Sequence, residues 1–205
     1  MCIYNNMKTI ALIGAGGHCK MIIDLIKILN NYEIVGIYDD NREGIFCDYK
    51  ILGKVKDINT NIENFIIAIG NDYIRHKIYE ENKNLNWCTL IHPSAIISKN
   101  TKIDVGTVVS AGSIIQTEVK IGKQCIINTG CSIDHECIVG DFTSICPKAT
   151  LCGQVKVRNL CLIGANSVII QNKSIGNNCI VGAGSVVIRD VGDHQKVVGN
   201  PAKNI

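Results

Sequence analysis

The segment CSIDHECIVGD, residues 131–141, places several reactive side chains close together. His135 and Glu136 are adjacent, and Cys131 and Cys137 flank them. Three kinds of chemistry use such residues: a metal site, a thiolate nucleophile activated by a histidine, and a general base oriented by a carboxylate. The spacing within the segment does not choose among them, so the structural element that carries it must decide.

A strict six-residue period runs through this segment and far beyond it. Every sixth residue from Ile91 to Val187 is Ile, Val or Leu, and the phase never slips. The residue four places after each of these is small in every hexad but one, which has Lys173. This period is typical of a parallel β-helix, in which each hexad forms one short strand and one corner. We expect the aliphatic and the small residues to form two inward columns.

The repeat separates the reactive side chains. Cys131 and Cys137 take the small inward position, where cysteine behaves as a small hydrophobic residue, whereas His135 and Glu136 should point outward. A covalent Cys–His mechanism is therefore disfavoured. A zinc site is disfavoured too, because the repeats before the tail offer only one other histidine, His92. The sequence predicts no metal and favours a general base, with an ordinary surface histidine as the alternative.

The first 85 residues follow a different pattern. Apolar strands alternate with helical segments, as in TIALIGAGGH followed by CKMIIDLIKILN, which predicts a parallel sheet with helices. GAGGHCK joins the first strand to the first helix, where backbone amides often meet a phosphate. Cys19 stands where the dinucleotide fingerprint has its third glycine, which counts against a dehydrogenase and leaves a simple tight turn as an alternative.

Polar residues follow two further strands of this region. Asp39 and Asp40 end the segment EIVGIYDDN, and AIGN, residues 68–71, ends the next strand on the same sheet edge. Acids at such a strand end often bind a ribose hydroxyl or a base, although a plain polar strand end is an equally good interpretation of their position.

Composition narrows the class of protein. Charged residues make up 19% of the chain, the net charge is +3, and no basic run occurs, which disfavours nucleic acid as a partner. The 11 cysteines would suit a disulfide framework in a secreted protein. The N-terminal apolar run, however, is short and interrupted by glycines, so it does not resemble the hydrophobic region of a signal peptide. No apolar segment approaches the roughly 20 residues of a membrane span. We expect a cytoplasmic protein with reduced thiols.

Taken in order, GAGGHCK, IYDD, IAIGN, IDHECIVGD and VVGNPAK resemble the bacterial sugar acetyltransferases of the sialic acid O-acetyltransferase type. That family includes the N-acetyltransferases of the bacillosamine and perosamine pathways. The resemblance covers nearly the whole chain. It implies a Rossmann-like sugar-nucleotide-binding domain over residues 1–88 and a left-handed β-helix with a C-terminal tail over residues 89–205, assembled as a homotrimer. Acetyl-CoA would be the co-substrate, in clefts between neighbouring β-helices, and a UDP-amino-deoxysugar the substrate.

The resemblance also implies roles for individual residues. His135 would be the general base and Glu136 would raise its basicity. The residues implied to contact the sugar nucleotide are Gly16, Gly17, His18, Asp39, Asp40 and Gly70. The residues implied along the acetyl-CoA site are Ser144, Gly153, Ala165 and Ala183. Ser144 replaces a second histidine that the family often has, so the acceptor pocket or the acyl group could differ. An O-acetyltransferase for sialic-acid-like sugars and a non-catalytic sugar-nucleotide-binding trimer remain alternatives.

Overall fold

The structure, a computed structural model, describes residues 7–205. Residues 1–6, which the predicted first domain includes, lie outside the described residues. The N-terminal part consists of β1 (Lys8–Ile13), α1 (Gly17–Leu29), β2 (Tyr32–Tyr38), β3 (Ile45–Phe46), β4 (Tyr49–Gly53), a 3-10 turn (Val55–Asp57), β5 (Asn64–Ile67) and α2 (Asp72–Glu81). The strands form one sheet in the order β3-β4-β2-β1-β5, which is parallel except for the hairpin of β3 and β4.

The apolar pattern explains this sheet. The residues from Ile10 to Ile13 and from Phe65 to Ala68 are buried, as expected for central parallel strands covered on both faces. Helix α1 buries its apolar face on the sheet and ends at Asn30, which adopts the left-handed conformation of a helix C-cap. The predicted Rossmann-like arrangement is confirmed, and the short hairpin β3–β4 is an addition that the sequence pattern did not indicate.

A parallel β-helix follows. Up to β22 its strands have two residues each, and they pair with the strand one coil, 18 residues, further on. Its strands are β6 (Leu90–Ile91), β7 (Ile96–Ile97), β8 (Lys102–Ile103), β9 (Val108–Val109), β10 (Ile114–Ile115), β11 (Lys120–Ile121), β12 (Ile126–Ile127), β13 (Ser132–Ile133), β14 (Ile138–Val139), β15 (Ser144–Ile145), β16 (Thr150–Leu151), β17 (Lys156–Val157), β18 (Leu162–Ile163), β19 (Val168–Ile169), β20 (Ser174–Ile175), β21 (Ile180–Val181), β22 (Val186–Val187), β23 (Lys196–Gly199) and β24 (Ala202–Asn204).

The β-helix has three faces. The first face contains β7, β10, β13, β16, β19 and β22; the second contains β8, β11, β14, β17 and β20; the third contains the remaining strands from β6 to β24. The final two strands form an antiparallel hairpin around a cis Asn200–Pro201 bond, so the tail GNPAK caps the last coil rather than trailing from it.

The predicted inward columns are confirmed. The aliphatic residues at every sixth position from Val109 to Val187 are all buried, and the five inward cysteines are fully buried beside them. At each corner from Gly106 to Gly184 one residue adopts a left-handed conformation, such as Glu136 with φ 59° and Gln154 with φ 63°. The N–H of such a residue donates to the preceding coil, as Glu136 does to Thr117 O at 3.0 Å. Stacking thereby satisfies backbone groups that a corner would otherwise leave unpaired.

The two parts of the chain pack directly on one another. Leu90 and Val108 on the third face belong to the same apolar cluster as the buried side of α1. Trp87 still pairs with Phe65 of the N-terminal sheet, and Leu90 begins the first strand of the β-helix. The domain boundary between residues 88 and 89 stays a prediction. Across residues 7–205, no helix is long and apolar enough to cross a membrane.

Candidate active site

His135 lies at the edge between the first and second faces, which we call the base edge. It follows β13 on the first face and precedes β14 on the second, so the corner turns its side chain away from the aliphatic columns. The side chains of His135 and Glu136 are 49% and 47% exposed, which confirms that they point outward. The backbone N–H of His135 donates to Asp134 Oδ1 at 2.8 Å and holds the corner in place.

A carboxylate orients the imidazole ring. His135 Nδ1 lies 3.0 Å from Glu136 Oε2, and Gln154 Nε2 donates to the same oxygen at 2.9 Å. The hydrogen bond from Gln154, and after it the contact with His135, lower the pKa of the Glu136 carboxyl, which therefore stays ionised. A carboxylate at Nδ1 selects the tautomer with its proton on that nitrogen and leaves the lone pair on Nε2.

Gly153 provides the space for this ring. It lies one coil after His135 on the base edge, and a Cβ placed there would stand 2.5 Å from His135 Nε2. No larger residue fits at Gly153 while the imidazole keeps its position. Gln154 and Gly153 each follow their partner by 18 residues, so the coil length is the sequence signal that identifies both; the sequence interpretation missed Gln154.

The metal and thiol interpretations of this segment fail on burial. Cys131 and Cys137 are completely buried in the inward column, and their Sγ atoms donate to backbone carbonyls. Burial raises the pKa of Cys131 to about 12 and that of Cys137 to about 11, which makes both poor nucleophiles. Residues 7–205 contain no cluster of three or more metal-ligating side chains.

Ala165 and Ala183 occupy the edge between the third and first faces, which we call the alanine edge. They lie in successive coils, and the carbonyl of Ala165 accepts the N–H of Gly184 at 2.8 Å. In the part of the chain that the structure describes, the backbone amides of both alanines lack an acceptor. Two amides at one edge can therefore donate to an extended ligand.

Ser144 does not lie on either of these edges. It belongs to β15 on the third face and is 6% exposed. Its hydroxyl donates to Asp72 Oδ1 at 2.6 Å and accepts from Arg75 Nη2 at 3.0 Å. Because both neighbours belong to α2, the hydroxyl joins the two parts of the chain, and we do not retain Ser144 in the proposed acetyl-CoA site.

A second candidate site lies in the N-terminal part, in a cleft of about 380 Å³ at the carboxyl ends of the strands. All six residues predicted to contact the sugar nucleotide line it: Gly16, Gly17, His18, Asp39, Asp40 and Gly70. The described residues around this cleft all come from the N-terminal part. A single chain therefore does not bring the cleft residues into contact with His135.

The glycines of this cleft differ from a glycine beside it. Gly14 has φ 102°, and a Cβ there would overlap the Ile69 side chain, so the fold itself requires glycine. At Gly16, Gly17 and Gly70, no atom within residues 7–205 lies within 4 Å of where a Cβ would be, apart from the local backbone and the chain neighbours. These three positions leave open space that the packing of the protein does not use.

Helix α1 begins at the cleft without a cap. Gly16 is its N-cap and supplies no side-chain hydrogen bond, whereas Asn71 caps α2 by accepting the N–H of Ile74 at 3.0 Å. The first amides of a helix carry partial positive charge and need an acceptor, which water or an anionic ligand can supply. The cleft therefore combines open space with a helix terminus suited to an anion.

The two acids at the cleft have different surroundings. Asp39 accepts the N–H of Ala15 through Oδ2 at 2.6 Å and that of Asn41 through Oδ1 at 2.9 Å, so it holds the loop together. Asp40 accepts the N–H of Val55 through Oδ1 at 2.9 Å. Within the described chain, Asp40 Oδ2 accepts no hydrogen bond, which leaves this oxygen available to a ligand.

His18 contributes a buried imidazole. Its Nε2 atom is inaccessible and has no hydrogen-bond partner among residues 7–205. Burial, and after it the charge of Arg75, lower the pKa of His18 to about 4. The ring is therefore neutral near pH 7, which suits hydrogen bonding rather than ion pairing.

Comparison with known proteins finds matches to the N-terminal part and to the whole chain. Residues 9–82 match the PglD N-terminal domain family. The acetyltransferase domain of PglB from Neisseria gonorrhoeae, solved with acetyl coenzyme A, superposes with a TM-score of 0.91 at 31% identity, over 98% of this chain and all of that one. A mutant GDP-perosamine N-acetyltransferase from Caulobacter crescentus, solved with CoA and GDP-perosamine, gives a TM-score of 0.84 at 28% identity over 96% of each chain.

Curated relatives match over part of their length. The UDP-N-acetylbacillosamine N-acetyltransferase of Bacillus subtilis is 37% identical over 110 residues, which are 49% of this chain and 50% of that protein. An uncharacterised mimivirus protein, L142, is 39% identical over 97 residues, which are 46% of this chain. The chain thus spans about half the length of the first of these curated relatives and about a fifth of the second.

Proposed function

Because the chain belongs to the hexapeptide-repeat sugar acetyltransferases of the bacillosamine and perosamine type, we propose that it transfers acetyl from acetyl-CoA to the amine of a UDP-amino-deoxysugar. The substrate class is a UDP-4-amino-4,6-dideoxysugar. The observation that carries this proposal is the imidazole of His135, held by Glu136 at Nδ1 with Nε2 over Gly153.

The reaction proceeds by direct attack in a ternary complex. The amine nitrogen attacks the thioester carbonyl, the new C–N bond forms, and the C–S bond breaks to release CoA as thiolate. His135 Nε2 takes the proton of the amine as general base and returns it to the departing sulfur. The ionised Glu136 stabilises the imidazolium that exists between these two transfers.

Acetyl-CoA is proposed to lie along the alanine edge. The amides of Ala165 and Ala183 donate to the pantetheine arm, and Gly153 borders the same groove in the assembly. A backbone amide near the thioester stabilises the oxyanion that forms during attack. The acetyl coenzyme A bound to the related Neisseria gonorrhoeae domain supports this assignment of co-substrate.

A homotrimer would complete the site. The outward residues within the strands of the first face are uncharged: Ile96, Ile114, Ser132, Thr150, Val168 and Val186. The equivalent positions of the second face carry three lysines, Lys102, Lys120 and Lys156, together with Ile138 and Ser174. Since the uncharged face has the base edge on one side and the alanine edge on the other, a closed ring of three chains would set one edge beside the other. Light scattering gives the mass of the assembly.

The cleft is proposed to hold the nucleotide sugar. The open helix terminus at Gly16 and Gly17 receives the diphosphate, and Asp40 Oδ2 accepts one base N–H. A single available carboxylate oxygen suits the one ring N–H of uracil, whereas guanine presents two adjacent donors. This preference and the UDP-linked substrate named for the Bacillus subtilis relative favour UDP over GDP. The cytoplasmic location stays a prediction.

A thiol-release assay with acetyl-CoA tests the proposal. The panel comprises UDP-4-amino-6-deoxysugars, the corresponding GDP-linked amino sugars, and free sialic-type sugars. Turnover of a UDP-linked amine is the expected result. Turnover of the sialic-type sugars alone would replace the proposal with O-acetylation, which the same base could catalyse. If no acceptor is turned over and acetyl-CoA does not raise the melting temperature, the chain is a binding or scaffold protein.

A further inference from the structure

Arg75 is a buried arginine that neither of the two candidate sites explains. It lies in the first half of α2 and is 1% exposed. Burial lowers its pKa, and the charge of Asp72, 2.7 Å away, opposes that effect. A charge enclosed to this degree is costly unless it is paired and hydrogen-bonded throughout. Its partners therefore indicate what it holds.

One side of the guanidinium holds the rim of the cleft. Nη1 donates to Gly70 O at 2.8 Å and to Ile69 O at 3.1 Å, and both residues line the cleft. The charge of Arg75 also reaches His18, another lining residue, and lowers the pKa of that imidazole. The cleft wall is thus fixed to Arg75 by backbone carbonyls and does not depend on side-chain packing alone.

The other side of the guanidinium holds the β-helix. Nε donates to Gln124 O at 3.1 Å, and Nη2 donates to Phe142 O and Ser144 Oγ at 3.0 Å each. These acceptors come from two neighbouring coils at the edge between the second and third faces, which we call the docking edge. One side chain therefore bridges the cleft rim and the rigid element that carries His135.

We propose that Arg75 is a positioning residue that fixes the Ile69–Gly70 rim of the cleft relative to the β-helix. The inference rests on the proposed function, because its purpose is to hold the acceptor sugar at a set distance from the base. The planar guanidinium group of arginine has five N–H donors and can reach acceptors in three directions. The compact ammonium group of lysine cannot reach all of them. Arg75 touches neither substrate directly.

Arg75→Lys tests the positioning role through the kinetics of the two substrates measured separately, because a merely structural role would not affect one substrate more than the other. We expect kcat/KM for the sugar nucleotide to fall on the order of ten- to a hundredfold, as for a small misplacement of reacting groups, while KM for acetyl-CoA stays unchanged. Tyr73→Phe is the matched control, since Tyr73 Oη also joins α2 to the β-helix, at Asn178 Oδ1, without touching the rim. A folded Arg75→Lys enzyme with unaltered sugar kinetics, or with equal losses toward both substrates, overturns the inference.

Hydrogen exchange of the wild-type protein decides the question even if the variant does not fold. UDP is the probe. The inference expects UDP to slow amide exchange both in residues 68–75 and at the docking edge around Gln124 and Phe142. Protection confined to the cleft overturns the inference and leaves the proposed function intact. Protection of both regions in a protein that acetylates no sugar upholds the inference and removes the proposed function. An absence of protection at the cleft contradicts both.

Discussion

The base edge and the cleft are prepared in opposite ways. At the base edge the groups are already paired: Glu136 holds His135, Gln154 holds Glu136, and Gly153 leaves room for the ring. The cleft instead contains open Cβ positions and a helix N-terminus without a side-chain cap. The difference separates two tasks, since a base must be oriented before the reaction whereas a binding cleft must leave its groups available to the ligand.

The largest effect in this comparison should come from His135→Ala. We expect turnover to fall by about 10²- to 10⁴-fold because the general base is lost. The melting temperature should hardly change, since the side chain is half exposed. Steady-state kinetics with a UDP-linked amino sugar measure this. His194→Ala, which removes an exposed imidazole from a β-helix corner on neither the base edge nor the alanine edge, is the control and should keep full activity. Equal activity of the two variants would refute the base assignment.

Gly153→Ala should come next. The new Cβ would meet His135 Nε2 at 2.5 Å and push the ring out of line, so we expect a loss of about 100-fold in kcat. Gly192→Ala is the matched control at another β-helix turn, where a Cβ would make only ordinary contacts, from 3.6 Å outward. If Gly153→Ala keeps its activity, the position of the imidazole does not matter and the account of the base edge is wrong.

Two glycines at the cleft allow a paired test: Gly17, where a side chain would enter open space, and Gly14, where the fold itself requires glycine. Gly17→Ala should leave the free energy of unfolding within about 1 kcal/mol of wild type, but raise KM for the sugar nucleotide by about tenfold if the ligand fills that space. Gly14→Ala should destabilise the fold by about 2 kcal/mol, because of its left-handed φ and the overlap with Ile69. Urea unfolding and substrate titration distinguish them; normal KM in Gly17→Ala would remove the ligand from this terminus.

The buried His18 should make the stability of the fold depend on pH. Its pKa is about 4 in the fold and 6.5 in the unfolded chain, so the unfolded state binds more protons between these values. The stability that comes from burying a neutral ring is complete above pH 6.5 and is lost as the pH falls toward 4, by up to about 3 kcal/mol. Urea unfolding at several pH values should show this slope in wild type and a weaker one in His18→Gln. Identical slopes would contradict the burial of a neutral imidazole.

The β-helix, with its regular repeat, was more predictable from the sequence than the N-terminal part. A period of six residues fixes which side chains face inward, so the exposure of His135 and the burial of Cys131 followed from counting alone. In the N-terminal part, strand ends indicated polar segments, and only the family resemblance implied which of their residues contact a ligand. Their hydrogen bonds could not be predicted, and Asp39 proved to be occupied by the amides of Ala15 and Asn41.

The contact between the two regions left no signal in the sequence pattern. Arg75 and Ser144 meet across 69 residues of chain because α2 docks on one edge of the β-helix, and no repeat encodes that docking. Ser144 was predicted to contact a ligand because it lies nine residues after His135. Its hydroxyl instead donates a hydrogen bond to Asp72. Side chains whose partners come from another structural unit are determined only when the units are assembled.

Transfer of a ¹³C-labelled acetyl group tests the central claim most directly. Acetyl-CoA labelled at the carbonyl carbon is mixed with the enzyme and a UDP-4-amino-6-deoxysugar, and the label is followed by NMR and by mass spectrometry of the intact protein. In wild type the label should appear only as an amide on the sugar. In His135→Ala the same product should form far more slowly. A labelled acetyl-enzyme that forms and then decays into product would contradict direct attack with His135 as the base.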